Sequence, residues 1–160
     1  MASFTGKVEL IAQKLGNLSA VCDTGFALAV HIRYTRPTLL YQTYDQEWAD
    51  HYSEKGYMLS DPTVHWGLAN VGTMDWDRLV DQDPEGVIKA AHGFGLTNGW
   101  TYATGPSTSR SLGSMTCSRP FTDAERDRIR QLIDEIHDLT EDFESFPPSV
   151  KDHLRNLSPV

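Results

Sequence analysis

Apolar residues at three- and four-residue steps open the chain. Val8, Ile11, Leu15, Leu18 and Val21 mark an amphipathic helix over about Lys7–Cys22. Gly25 ends it, and the β-branched and aromatic run FALAVHIRY reads as a strand. Arg36-Pro37 turns the chain into a second strand, TLLYQTY, so the two predict a hairpin. A helix is expected over about Gln46–Lys55, stopped by Gly56. Asp61-Pro62 starts another, because Asp caps well and Pro tolerates the first helical position. Gly72 precedes a short edge segment, Thr73–Trp76, and Pro84–Ala91 predicts one more helix ending near Gly93.

Two further strands, Trp100–Thr104 and Arg110–Cys117, flank a Gly-Pro-Ser turn region. Thr122-Asp-Ala-Glu125 is a capping box, and the stripe Ile129, Leu132, Ile133, Ile136, Leu139 and Phe143 places a long helix behind it. From Ser145 the periodicity stops, and residues 146–160 read as a linker or frayed end. The pattern predicts an α/β fold: a three-layer α/β/α sandwich around a five-stranded, largely antiparallel sheet.

At 160 residues the chain suits one domain, and 39% apolar with 22% charged residues is ordinary globular composition. Net charge is −8, and residues 121–145 carry −6 of it through nine acids and three arginines. That balance argues against phosphate-dominated nucleic-acid binding, and the last long helix least of all suits a phosphate backbone. The longest strongly apolar stretch, Phe26–Val30, is far too short for a membrane span, and the N-terminus lacks the apolar core of a signal peptide. A cytoplasmic protein is expected.

Catalytic and metal chemistry find no foothold. The six histidines show no paired ligand spacing, and Cys22 and Cys117 form neither a CxxC motif nor a disulfide framework. A nucleophile elbow and a phosphate loop are missing, and the GxG at Gly93-Phe94-Gly95 lacks dinucleotide spacing. No metal, no cofactor and no enzymatic activity are expected.

The informative cluster lies between Tyr41 and Trp76. Tyr44, Trp48 and Tyr52 recur every four residues, so a helix and its lead-in present them on one face. Asp61 and Trp76 follow. Phenol and indole groups donate to carbonyl oxygens, and a carboxylate accepts from an amide N–H, so this set can orient a small amide ligand. On periodicity alone, an aromatic stripe at helical spacing is usually core, and Asp before Pro is usually only a cap.

Tyr44, Trp48, Tyr52, Asp61-Pro62 and Trp76, followed by Phe94-Gly95-Leu96 and Gly99, resemble the autoinducer-binding domain of LuxR-type quorum-sensing regulators. The resemblance runs through about residues 5–145. It implies an α/β/α sensor for N-acyl homoserine lactones or a similar small amide signal, acting as a homodimer. It also implies roles: Trp48 donating to the lactone carbonyl, Asp61 accepting the amide N–H, and Tyr44 donating to the acyl carbonyl. Tyr52 and Trp76 would line the head-group pocket. Thr116 matches a hydroxyl position near the acyl carbonyl, with Ser114, on the same strand face, as the alternative if the register slips. Gly99 matches a glycine where backbones approach closely.

Two departures stand out. An aromatic pair that covers the lactone in such proteins falls here on Val87 and Ile88; Trp100 and Tyr102 either replace that surface or pack as strand residues. The family's helix-turn-helix DNA-binding domain is also missing; it normally begins near a Leu-[Ser/Thr]-Pro, matched by Leu157-Ser158-Pro159-Val160. The expected organisation is therefore a sensor over residues 1–145 and a linker over 146–160 toward a DNA-binding domain outside this chain. A PAS- or GAF-like sensory module, or a standalone dimerising sensor that sequesters full-length regulators, are the competing readings.

Overall fold

Residue parity along five strands decides this architecture. The computed structural model describes residues 3–159. Strand β1 (Gly25–Arg33) pairs with β2 (Arg36–Gln42) as a hairpin, and with β5 (Arg110–Thr116) on its other side. β4 (Trp100–Thr104) follows β5, and β3 (Gly72–Asp75) closes the far edge. Every pairing is antiparallel, in the order β2-β1-β5-β4-β3. The hairpin turns at Tyr34–Thr35, slightly before the expected Arg36-Pro37, and Tyr34 carries the positive φ (59°) that the turn requires.

One sheet face is covered by α1 (Phe4–Val21), α5 (Asp123–Leu139) and α6 (Pro148–Arg155). Ile11, Leu15 and Leu18 of α1 and Ile129, Leu132 and Ile136 of α5 are fully buried against Phe26, Leu28 and Val30 of β1. Burying a side chain of this size contributes roughly 1.5–3 kcal/mol, which makes this layer the main stabilising core. The capping box is present: Thr122 accepts from the Glu125 amide, and the Glu125 carboxylate accepts from the Thr122 amide.

The other face carries α2 (Gln46–Glu54), α3 (Pro62–Ala69) and α4 (Val87–Gly93). α4 begins later than expected because Gly86 adopts a left-handed φ of 67°, while the Asp83 carboxylate accepts from the Val87 and Ile88 amides.

Residues 148–155 are a correction to the sequence reading. The segment read as aperiodic is helix α6, seated on the core. Leu154 is fully buried, and the Tyr41 hydroxyl donates to its carbonyl at 2.7 Å. Eight residues with a single buried leucine give no detectable period, so tertiary contact supplies what the pattern lacks. Val160, the last residue of the Leu-Ser-Pro match, lies outside the described residues, as do Met1 and Ala2.

Midway along β1 the register shifts between Ala29 and Ile32, where His31 has a φ of 48°. This bulge turns Val30 and His31 toward the α5 side and Ile32 to the opposite side. His31 is pinned there: its Nδ1 bonds Ser109 Oγ at 2.7 Å, and its Nε2–H donates to the His137 carbonyl at 2.8 Å. Its ring stacks on His137 with centroids 4.0 Å apart.

Candidate functional site: a cavity between the sheet and helices α2 to α4

Most β-strand positions facing α2–α4 are small, with Ile32, Leu40 and Leu112 the larger exceptions. Ala27 and Ala29 of β1, Thr101 and Ala103 of β4 and Ser114 of β5 alternate with the large residues of the opposite face. The helices therefore rest on a floor too low to fill, and a cavity of about 630 Å³ remains. That volume is within the ~300–1,000 Å³ range of small-molecule sites. Its walls include Tyr44, Trp48 and Tyr52 from one side, Asp61 and Thr63 from the start of α3, and Trp76, Val87 and Ile88 from another.

The polar groups converge at one end. The Tyr52 hydroxyl donates to Asp61 Oδ2 at 2.8 Å. Asp61 Oδ1 accepts from the Thr63 amide at 2.9 Å and from its hydroxyl at 2.8 Å. Asp61 is thus both helix cap and cavity wall, since three donors leave a two-oxygen carboxylate with acceptor capacity for one more. The Tyr44 hydroxyl donates to the Ser114 carbonyl at 3.1 Å. Burial above all pushes both the Tyr44 and Tyr52 phenols well above the usual tyrosine range, with Cys22 and then Asp61 adding to it at Tyr44 and Asp61 adding to it at Tyr52. Both stay protonated near neutrality and can donate.

Trp76 closes this end through a chain that the sequence did not reveal. Its indole N–H donates to Thr101 Oγ1 at 3.1 Å, and Thr101 bonds Ser114 Oγ at 2.9 Å. The expected close approach at Gly99 is present: a Cβ there would stand 2.2 Å from the Trp76 ring. Gly25 does the same for Tyr44, where a Cβ would stand 2.5 Å from the ring.

Tyr44, Trp48, Tyr52, Asp61, Trp76 and Ser114 therefore line one cavity. Thr116 does not join them. Its hydroxyl donates to the Gly25 carbonyl at 3.0 Å and accepts from Thr24 at 2.8 Å, and the residue is fully buried between strands. Ser114 is the hydroxyl on the cavity wall. Trp100 and Tyr102 face the α5 side, Trp100 within the main core and Tyr102 donating to Asp134, so they pack as strand residues. Val87 and Ile88 occupy the wall expected to be aromatic, leaving an aliphatic surface. Motif reading missed Thr63, on the cavity wall, and Thr101, which bonds the wall residues Trp76 and Ser114. The alanines at Ala27 and Ala29, inside an otherwise bulky strand, were the available signal.

Among the described residues there is no cluster of three potential metal ligands, and no helix is long and apolar enough to cross a membrane. An antiparallel sheet sandwiched by helices, with an apolar cavity and a polar end on one sheet face, defines a small-molecule-binding α/β/α domain. Residues 23–143 match the autoinducer binding domain family, and the chain belongs to it.

Solved structures agree on the fold. SdiA in complex with octanoyl-rac-glycerol superposes with a TM-score of 0.63 at 21% identity, covering 90% of this chain and 62% of that one. The solution structure of Escherichia coli SdiA 1–171 gives 0.64 at 20% identity, covering 86% and 88%. CepR2 of Burkholderia cenocepacia, an N-acylhomoserine lactone dependent LuxR family transcription factor, gives 0.57 at 15%, covering 89% and 96%. The chain spans 62% of the SdiA chain in the octanoyl-rac-glycerol complex. Curated protein sequences give no significant match.

Proposed function

We propose that this chain is the signal-sensing part of a LuxR-type transcriptional regulator and holds an N-acyl homoserine lactone or a similar acyl amide in the α2–α4 cavity. The observation that carries the reading is Asp61, buried at the polar end of an otherwise apolar cavity with one acceptor position unfilled. Asp61 accepts the ligand's amide N–H, Tyr44 donates to the acyl carbonyl, and Trp48 donates its indole N–H to the head-group carbonyl. Ser114 supplies the hydroxyl beside the acyl carbonyl, and Trp76 and Tyr52 enclose the head group. Filling the cavity gives its walls contact partners they otherwise lack, so ligand binding stabilises the folded domain. Dimerisation and operator binding through a helix-turn-helix domain belong to the same proposal. With a net charge of −8, this chain is a poor candidate for the DNA contact itself.

The SdiA complex with octanoyl-rac-glycerol supports a second reading, an acylglycerol ligand. There a glycerol hydroxyl replaces the amide as donor to Asp61, and the aliphatic Val87–Ile88 wall needs no planar ring against it.

Asp61→Asn tests both. Asn caps about as well as Asp, so circular dichroism should stay unchanged. A charge-assisted bond contributes about 1.5–3 kcal/mol, so lactone affinity by calorimetry should fall about 10- to 150-fold. Unchanged affinity in a folded variant removes Asp61 from the site.

A further inference from the structure

The cavity follows the β1–β2 ladder rung by rung. Ala27 pairs with Gln42 on one side and with Ser114 on the other, and Ser114 is the residue whose carbonyl Tyr44 holds. The next cavity-facing rung is Ala29 with Leu40, and the next is Ile32 with Pro37, where the bulge at His31 has turned Ile32 inward. Arg36, at the hairpin end, also lines the cavity. The polar end therefore occupies the first rung, and everything along β1 beyond it is aliphatic floor.

Five residues separate Gln42 from Pro37, and at ~3.3 Å per residue they span about 17 Å. A staggered alkyl chain of ~1.52 Å bonds advances about 1.25 Å per carbon, so roughly thirteen carbons cover that span. Resting on the proposed function, in which the acyl carbonyl sits at Tyr44 and Ser114, we infer that the signal carries an unbranched acyl chain of about twelve carbons. The chain lies along β1 and β2, and its last carbons leave the cavity beside the hairpin turn. A chain of four to six carbons ends near the Ala29–Leu40 rung and leaves the Ile32 end empty.

The mouth supports the same occupant. Leu40, Met58 and Leu59 line it with 56%, 51% and 84% of their surfaces exposed. Large apolar side chains grouped around an opening find cover when an apolar tail passes between them.

The test is a titration of lactones with acyl chains from about four to about fourteen carbons, read by calorimetry. Each added methylene buried along the floor should tighten binding about fourfold, continuing to about twelve carbons and then levelling. Pro37→Asp, at the far rung of the floor, should weaken the twelve-carbon lactone at least tenfold and leave the four-carbon lactone, which ends short of that rung, within about twofold. Levelling at six or eight carbons, or equal weakening of short and long chains by Pro37→Asp, overturns the inference and leaves the lactone reading standing. Binding of dodecanoylglycerol with no lactone of any length overturns the lactone head group and supports the long tail. Binding of neither overturns both.

Discussion

The two faces of the sheet are built from the same strands and differ by one residue in phase. Toward α1, α5 and α6 stand Phe26, Leu28, Val30, Leu39, Tyr41, Trp100 and Met115, all buried. Toward α2–α4 stand Ala27, Ala29, Thr101, Ala103 and Ser114. The first face is filled by its own chain, whereas the second leaves about 630 Å³ for something else. Alternate positions of single strands thus fill a core on one side and border a cavity on the other. A protein interior has few voids, so a strand of alternating large and small residues is a strand with one side reserved.

The largest effect that would test this contrast is truncation on the filled face. Phe26→Ala should cost about 3–5 kcal/mol in urea unfolding, because its surroundings cannot collapse. A loss below about 1 kcal/mol would mean that the filled face is as slack as the other.

Ligand should act only through the reserved face. At ~100 times its dissociation constant, a bound lactone should add about 2.7 kcal/mol, a melting shift of about 5–10 °C. The absence of any shift across the lactone series, checked by thermal scanning, would argue that the cavity stays empty in the working protein.

Adding a methyl group on each side makes a finer comparison. A Cβ at Gly113 would meet Ile133 Cδ1 at 2.8 Å, inside the filled core. Gly113→Ala should cost about 1–3 kcal/mol by overpacking. A Cβ at Gly67 would meet Leu112 Cδ1 at only 2.1 Å, yet Leu112 borders the cavity and has room to swing into it. Gly67 also lies within a helix, where Ala is preferred by about 1 kcal/mol, so Gly67→Ala should be nearly neutral for stability and should weaken ligand binding. Equal destabilisation by the two variants in urea melts would erase the distinction.

The smallest expected effect is on pH. Burial and the stacked His31 ring hold the His137 imidazole below its usual range, opposed in part by Asp138, Glu141 and Asp134. The unfolded chain, whose histidine titrates near 6.5, takes up its proton first as pH falls. The stability from this group is therefore fully present above about pH 6.5 and is lost as pH falls through the lowered folded value. Urea midpoints from about pH 7.5 to about pH 5 should decline, and His137→Gln should flatten part of that slope. An identical slope in the variant would show that this histidine contributes nothing.

Much of this arrangement was legible in the chain because it is local. Period and capping located α1, α3 and α5, and the four-residue spacing of Tyr44, Trp48 and Tyr52 put them on one wall. The bond from Trp76 to Thr101 to Ser114 was not legible, because it depends on how β4 and β5 register, and register is a property of the assembled sheet. The same holds for the choice between Ser114 and Thr116, two residues on one strand face that only the approach of Tyr44 and Gly25 tells apart. Helix α6 escaped because a single leucine and a tyrosine 113 residues away hold it.

The paired strands β1 and β5 at the middle of the sheet lie far apart in sequence. Tyr44 meets Ser114 across 70 residues of sequence, and Thr24 meets Thr116 across 92. A binding wall of this kind has no partial form: a growing polypeptide that has not yet reached β5 possesses Tyr44, Trp48 and Asp61 but nothing to hold them in place. Closing such long loops comes late, since their entropy is lost before their contacts form. Competence to bind should therefore arise only once β5 and α5 have been made, and ribosome-stalled chains ending before Arg110 should retain no lactone while chains carried through α5 do.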